Sequence, residues 1–290
     1  MSSTRDLAIR TVAWGVIGNA ALAVLKGAAG TFGHSWALVA DAIESATDAF
    51  ASLLLLFGLR FATLPADDNH PYGHGRAEPL LTFAVVALLL VAATAIAVES
   101  VERIGTAHEA PAPWTLAVLA LVIAGKEIAY RIVARRGRAI GSTALVADAW
   151  HHRSDALTSL AAFAGIGTAL LLGEGWEDAD DWAALVAAAV IVVNAYLIFR
   201  PALGELMDEQ RHEGLVADIR RIAADVDGVI DTEKCFVRKT GIAHHVDLHL
   251  VVDGRISVRA GHDVAHRLKA RLMEELPSLA DVLIHVEPHD

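Results

Sequence analysis

The sequence predicts an α-helical membrane protein, with six transmembrane helices in residues 1–207 and a small α+β domain in residues 208–290. Three observations carry this. The 290 residues are 54% hydrophobic and only 20% charged, with a positive mean hydropathy, too apolar for an ordinary soluble protein of this size. Apolar runs long enough to be spanning helices recur six times. Near Asp208 the composition changes: charges become dense, and eight of the fourteen His fall in the remainder.

The six runs are Leu7–Gly30, Trp36–Leu64, Pro79–Val101, Trp114–Val133, Leu145–Leu172 and Trp182–Leu203. Most reach the roughly 20 residues a helix needs to cross a hydrocarbon core of about 30 Å. The first is too long, and too weakly flanked by a small-residue cleavage motif, for a removable signal peptide, so it is expected to be a span. The net charge of −11 hides an asymmetry that sets orientation. Arg5 and Arg10 mark the start as basic, and Arg131, Arg135, Arg136 and Arg138 surround the end of the fourth run. The Thr31–Ser35, Thr106–Pro113 and Gly173–Asp181 loops carry no Lys or Arg. The positive-inside bias then places the N-terminus, the loops after helices two and four, and the C-terminus in the cytoplasm, with the chain in the cytoplasmic (inner) membrane. Cys235 is the only cysteine, which excludes an intramolecular disulfide.

In the tail, Gly214–Ala224 has the spacing of an amphipathic helix. Thr232–Arg238 and Ala243–Val252 alternate as two strands around Thr240-Gly241, Val258–Leu276 is a second helix, and Val282–Val286 a last strand. The order α-β-β-α-β is enough for a two-layer domain.

The chemistry lies in a repeat. Ala37–Leu53 reads ALVADAIESATDAFASL and Ala144–Leu160 reads ALVADAWHHRSDALTSL, offset by 107 residues throughout. Asp41 matches Asp148, Glu44 matches His151, Asp48 matches Asp155 and Ser52 matches Ser159. The first three of each set recur at i, i+3 and i+7, which lines one helix face. An ionised carboxylate at the bilayer centre costs roughly 2.5–3.5 kcal/mol, so Glu44, Asp48 and Asp155 together cost on the order of 8–10 kcal/mol unless compensated. No intramembrane Lys or Arg is evident in comparable number, so a bound cation or protons are expected to compensate. For Asp41 and Asp148, nearer the helix starts, capping or exposure to a watery vestibule is an equal reading. The pairs Glu44/Asp48 and His151/Asp155 supply three carboxylates and one imidazole, which suits tetrahedral Zn²⁺ and also tolerates Mn²⁺ or Fe²⁺. His152 is adjacent to His151 and points elsewhere.

Six spans, Glu44-x-x-x-Asp48, His151-x-x-x-Asp155 inside HHRSDALTSL, and an αββαβ tail resemble the cation diffusion facilitator family, of the bacterial ferrous-iron/zinc efflux type, over nearly the whole chain. The resemblance implies a homodimer in the lipid bilayer that exports divalent metal ions in exchange for protons. It implies zinc first, with iron(II), manganese and cadmium as further substrates. It implies a transport site at Glu44, Asp48, His151 and Asp155, and a ferredoxin-like tail. Glu44 departs from the His or Asp common in zinc exporters, and its extra methylene alters the reach of one ligand.

The loop after helix two, Pro65–Glu78, concentrates Asp67, Asp68, His70 and His74 beside Pro and Gly. Taken alone this is solvated turn chemistry or a metal site; the resemblance implies metal binding at Asp67, His70 and His74. It also implies an ion pair between Arg76 and Asp208, joining membrane and cytoplasmic domains near the dimer interface. In the tail His249 alternates on a strand, and His285 and Glu287 share one face of the last strand. Surface His without function is common; the resemblance implies a regulatory metal site from Glu233, His249, His262, His285 and Glu287. Cys235, further along the same strand, is either a soft ligand or merely buried.

Two other classes compete: a membrane-embedded metallohydrolase that activates water at the His/Asp cluster, and a membrane-anchored metal sensor. The chain has no His-Glu-x-x-His motif, and a sensor leaves the duplicated cassette unexplained. No phosphate-binding G-x-x-x-x-G-K-[ST] loop is present, so ATP is not expected to drive it. No enzymatic activity and no nucleic-acid partner are expected.

Overall fold

The computed structural model describes the backbone of residues 2–62, 64–106, 109–139, 143–173, 175–241 and 243–289. It describes their side chains apart from 2–15, 55–56, 59, 136–139, 143–152 and 154. Six long helices come first: α1 (Ser2–Phe32), α2 (Trp36–Ala62), α3 (Ala77–Arg103), α4 (Trp114–Ala139), α5 (Thr143–Leu172) and α6 (Ala179–Leu206). The tail follows as α7 (Glu213–Ala224), β1 (Asp231–Thr240), β2 (Ala243–Asp253), α8 (Val258–Glu275) and β3 (Leu279–His289). The expected elements all form, within a few residues of their predicted ends. Among the described residues, α3, the Asp155–Leu172 part of α5, and α6 are long and apolar enough to cross a membrane, with a shorter apolar stretch at Val16–Phe32.

The chain groups into two compact units, Met1–Leu54 with Ala84–Ile198, and Leu55–Phe83 with Phe199–Asp290. In the first unit, the start of α2 is built around anions and hydroxyls. Ser35 Oγ accepts from the Leu38 N–H at 3.1 Å, the usual capping bond at a helix N-terminus. The Asp180 carboxylate, from the first turn of α6, accepts from the Trp36 and Ala37 N–H groups and from Ser35 Oγ. It satisfies donors that a helix start otherwise leaves open, and it sits at the positive end of the helix dipole. Beside it, Arg103 Nε donates to the fully buried Asp181 at 2.7 Å.

Two helices end on a left-handed residue that is not glycine. His34 (φ 54°) follows α1, where the Ser35 N–H reaches Gly30 O at 2.9 Å. Asp208 (φ 53°) follows α6, where its own N–H bonds Glu205 O and the Glu209 N–H bonds Gly204 O at 2.8 Å. That pair of bonds is the Schellman stop, and Asp is one of the few side chains that tolerate the conformation.

In the second unit the tail sheet has the order β1-β2-β3, with β1 and β2 antiparallel and β2 and β3 parallel through the α8 crossover. Alternate residues of the strands, Val237, Val246, Leu248 and Leu250, face Ile219 and Ile222 of α7 and Val264, Leu268 and Leu272 of α8 in one buried cluster. This gives the two layers expected from the period-2 and period-3.6 patterns. The sheet is interrupted between Thr232 and Cys235, where β1 carries one residue more than β2, a bulge.

Candidate metal sites

The two cassette helices are neighbours: Ser159 Oγ of α5 lies 2.9 and 3.0 Å from the two carboxylate oxygens of Asp41 in α2. Glu44 and Asp155 are both buried. Glu44 lies within electrostatic range of Asp155, Asp48 and Asp41, so one cluster gathers carboxylates from both cassettes. Among the described residues, Glu44 Oε2 is buried with no hydrogen-bond partner. A buried carboxylate oxygen without a donor is costly unless a proton or cation meets it. The side chains of His151, His152 and Asp148 lie outside the described residues.

Two intramembrane cations that the sequence reading did not single out offset part of this charge. Lys26 of α1 and Lys126 of α4 are both buried in the cluster. Lys26 Nζ pairs with Asp41 at 2.8 Å, and also donates to Ser45 Oγ at 3.0 Å and approaches Ser159 Oγ at 3.5 Å. Lys126 Nζ lies 3.2 Å from Asp155. Asp41 is therefore neither a cap nor a vestibule group but half of a buried ion pair linking α1, α2 and α5. Each lysine lies inside an apolar run, which a composition scan reads as hydrophobic helix. The available signal was that Lys126 lies near the middle of its run, too far from either end for its ammonium to reach the interface. Arg153, beside the second cassette, stacks on Tyr130 at 4.8 Å and donates to its hydroxyl.

The loop site is compact. Asp67, His70 and His74 each offer a ligand atom, all within 4.8 Å of one another. His70 Nδ1 lies 3.0 Å from Asp67 Oδ1, and His74 Nε2 lies 3.4 Å from Asp67 Oδ2. The turn is made by Asp67 itself, whose carboxylate accepts the backbone N–H groups of His70 and Asn69. The His70 N–H bond, more than the ring contact, holds the Asp67 carboxyl below its usual range. His74 is the buried member, packed edge-on against Phe61 at 5.1 Å. In the same unit the loop touches the β1–β2 hairpin. Arg238 lies over the Tyr72 ring, and Gly75 abuts the Thr240 backbone so closely that a Cβ there would fall 2.6 Å from Thr240 C. Arg76 Nη2 reaches both carboxylate oxygens of Asp208 at 3.0 Å, so the expected pair forms, on the residue that stops α6. Next to it, Arg200 and Arg211 hold the Glu209 carboxyl down to about 2.

The tail site follows from strand register. His249 and His285 are direct partners across the parallel β2–β3 ladder, and Glu287 lies two residues beyond on the same face. His249, His285 and Glu287 offer ligand atoms within 4.8 Å of one another, with His249 Nδ1 2.6 Å from Glu287 Oε1. Glu233, in the bulge of β1, shares a side-chain hydrogen bond with Glu287, which with His249 holds the Glu287 carboxyl below its usual range. His262 does not join this group: it sits on α8 with His266 one turn on, their rings 4.3 Å apart. Cys235 is in the core, where burial pushes its thiol up, so it reads as packing.

Residues 12–207 match the cation efflux transmembrane domain, and residues 212–289 the cytoplasmic domain of cation efflux proteins. Metal tolerance protein C1 of Arabidopsis thaliana is 32% identical over 94% of this chain, which spans 61% of that protein's length. The manganese efflux system protein MneP of Bacillus subtilis is 29% identical over 100% of this chain and 99% of its own. An uncharacterized transporter of Methanocaldococcus jannaschii is 32% identical over 94% of this chain and 95% of its own. Among solved structures, a form of the MamM CTD matches 27% of this chain and 95% of its own at 18% identity and a TM-score of 0.27. The matched transmembrane and cytoplasmic domains make the chain a member of the cation diffusion facilitator family, a family of transporters rather than enzymes.

Proposed function

We propose that the chain exports divalent metal cations from the cytoplasm, zinc foremost, by alternating access coupled to protons, as a homodimer in the cytoplasmic membrane with both termini inside. The observation that carries this reading is the buried carboxylate cluster of Glu44 and Asp155 with Asp48 nearby, in which Glu44 Oε2 has no partner among the described residues. Glu44, Asp48, His151 and Asp155 are the substrate ligands. Oxygen-rich ligation admits Mn²⁺ and Fe²⁺ beside Zn²⁺, and the manganese efflux named for MneP supports keeping Mn²⁺ in the set. Cd²⁺ is a further substrate to test.

Metal ligands must be deprotonated, so protons and an arriving dication compete for the site. Exchange then needs no separate proton path: oxygens of the same site, that of Glu44 among them, alternate between protons on one side and metal on the other. The loop and tail sites serve as cytoplasmic metal sensors within the transporter, and the Arg76–Asp208 pair ties the loop to the end of α6. The bilayer, the metal and the proton are the partners.

Flux into proteoliposomes tests the reading. Purified protein should accumulate Zn²⁺, driven by an opposing proton gradient, and Asp48→Ala should abolish flux while the protein remains folded and dimeric on size exclusion. Wild-type flux from folded Asp48→Ala would remove the site assignment, and flux indifferent to the gradient would make the protein a uniporter.

A further inference from the structure

We propose that Lys126 is a tethered competitor of the transported cation: its ammonium occupies Asp155 when the metal is gone and is displaced when the metal arrives. The proposal rests on the transport site read above. Three observations carry it. Lys126 lies mid-helix in α4 with its side chain only 5% exposed, so it cannot escape to an interface, and a buried ammonium requires a carboxylate. That carboxylate is Asp155, itself 6% exposed, at 3.2 Å. The other buried lysine shows what a permanent pair looks like. Lys26 is held by Asp41, Ser45 and Ser159, and Asp41 accepts from Ser159 in turn, so pair and hydroxyls form a closed network with no proposed metal ligand in it.

Charge makes the contrast functional. Asp41 with Lys26 is neutral and static. Asp155 with Lys126 is neutral only while the metal is away, and Glu44 and Asp41 also lie within electrostatic range of the ammonium. A monovalent cation reaching Asp155 gains no more than the ammonium already supplies. A dication gains about twice the attraction at the same distance. The tethered charge therefore raises the threshold for entry and selects for charge as well as for ligand geometry. It also aids release: once the site opens to the far side, the ammonium returns to Asp155 and takes the place of the leaving metal, so the carboxylate is never left bare.

The test uses the full chain in nanodiscs and proteoliposomes, in a His74→Ala, His249→Ala, His285→Ala background that takes one imidazole from the loop group and both from the tail group. Zn²⁺ affinity is read by competition with a fluorescent chelator. Lys126→Met and Lys126→Gln should each bind Zn²⁺ about tenfold more tightly or better, and should transport with a lower KM and a lower kcat, because the metal is held rather than expelled. Lys126→Arg keeps the charge and should stay near wild type in both. A gain in affinity cannot come from misfolding, and two neutral variants guard against the loss of one. Unchanged or weaker binding in the neutral variants, or Lys126→Arg behaving like them, overturns the proposal. Asp155→Ala is the separate control: if it keeps wild-type binding and flux, the transport-site reading has failed, whatever Lys126 does.

Discussion

The Lys26–Asp41 pair gives the sharpest test of how the membrane unit is held together. Lys26→Met removes the ammonium and leaves Asp41, 2% exposed on its side chain, with Ser159 as its donor among the described contacts. Removing one half of a buried ion pair typically costs about 3–5 kcal/mol, because the other charge stays behind uncompensated. A unit of this size shifts by roughly 2–4 °C per kcal/mol, so the single variant should melt about 6–20 °C lower. Asp41→Asn alone should also destabilise, since it strands the lysine. The double variant should recover most of the loss, because replacing both members of a buried pair by neutral groups is often close to neutral. Melting is followed by tryptophan fluorescence in one detergent at one scan rate, since membrane proteins unfold irreversibly and only comparisons at fixed rate are meaningful. A Lys26→Met protein melting within about 2 °C of wild type, or a double variant no better than either single, would refute the static role given to this pair.

Gly75→Ala would place a Cβ 2.6 Å from Thr240 C and 2.7 Å from Thr240 O, backbone atoms that cannot rotate away; overpacking of this kind costs about 1–3 kcal/mol, and a thermal melt of the full chain equal to wild type would contradict the contact. His249→Ala combined with His285→Ala should eliminate divalent-metal binding by the residue 208–290 domain, which has its own buried core; calorimetry near neutral pH giving the same heat with and without the two imidazoles would discount the tail site. Lowering the pH on the metal-loaded side should slow Zn²⁺ uptake, because protons and metal compete for the same ligands, and a flat pH profile would argue against exchange.

Much of this was legible in the sequence, for reasons that differ by region. Helix periods and apolar run lengths are local properties, so all six long helices and the αββαβ tail could be read to within a few residues. The cassette repeat marked Glu44, Asp48 and Asp155 because acids are rare in such runs. Lys26 and Lys126 were not read, because a single lysine hardly lowers the hydropathy of a long apolar segment and its partner lies on another helix. Their significance comes from Asp41 and Asp155 being brought within 2.8 and 3.2 Å by tertiary packing. The bulge that sets Glu233 against Glu287 was equally invisible, since it is a property of strand pairing and not of either strand. So was the separation of His262, which depends on which face of α8 meets the sheet: Val264, Leu268 and Leu272 turn inward and leave His262 and His266 outside.

The parallel register of β2 and β3 ties a metal site to an outer strand. β3 is an outer strand, hydrogen-bonded along one edge only, and it runs to His289. Outer strands are where local opening of a sheet begins. A cation gripped by His249 on one strand and by His285 and Glu287 on the other would cross-link that outer strand to the central strand of the sheet. Amide hydrogen exchange along β3 would then slow as metal concentration rises, so this strand would serve as a gauge of how much cation surrounds the domain.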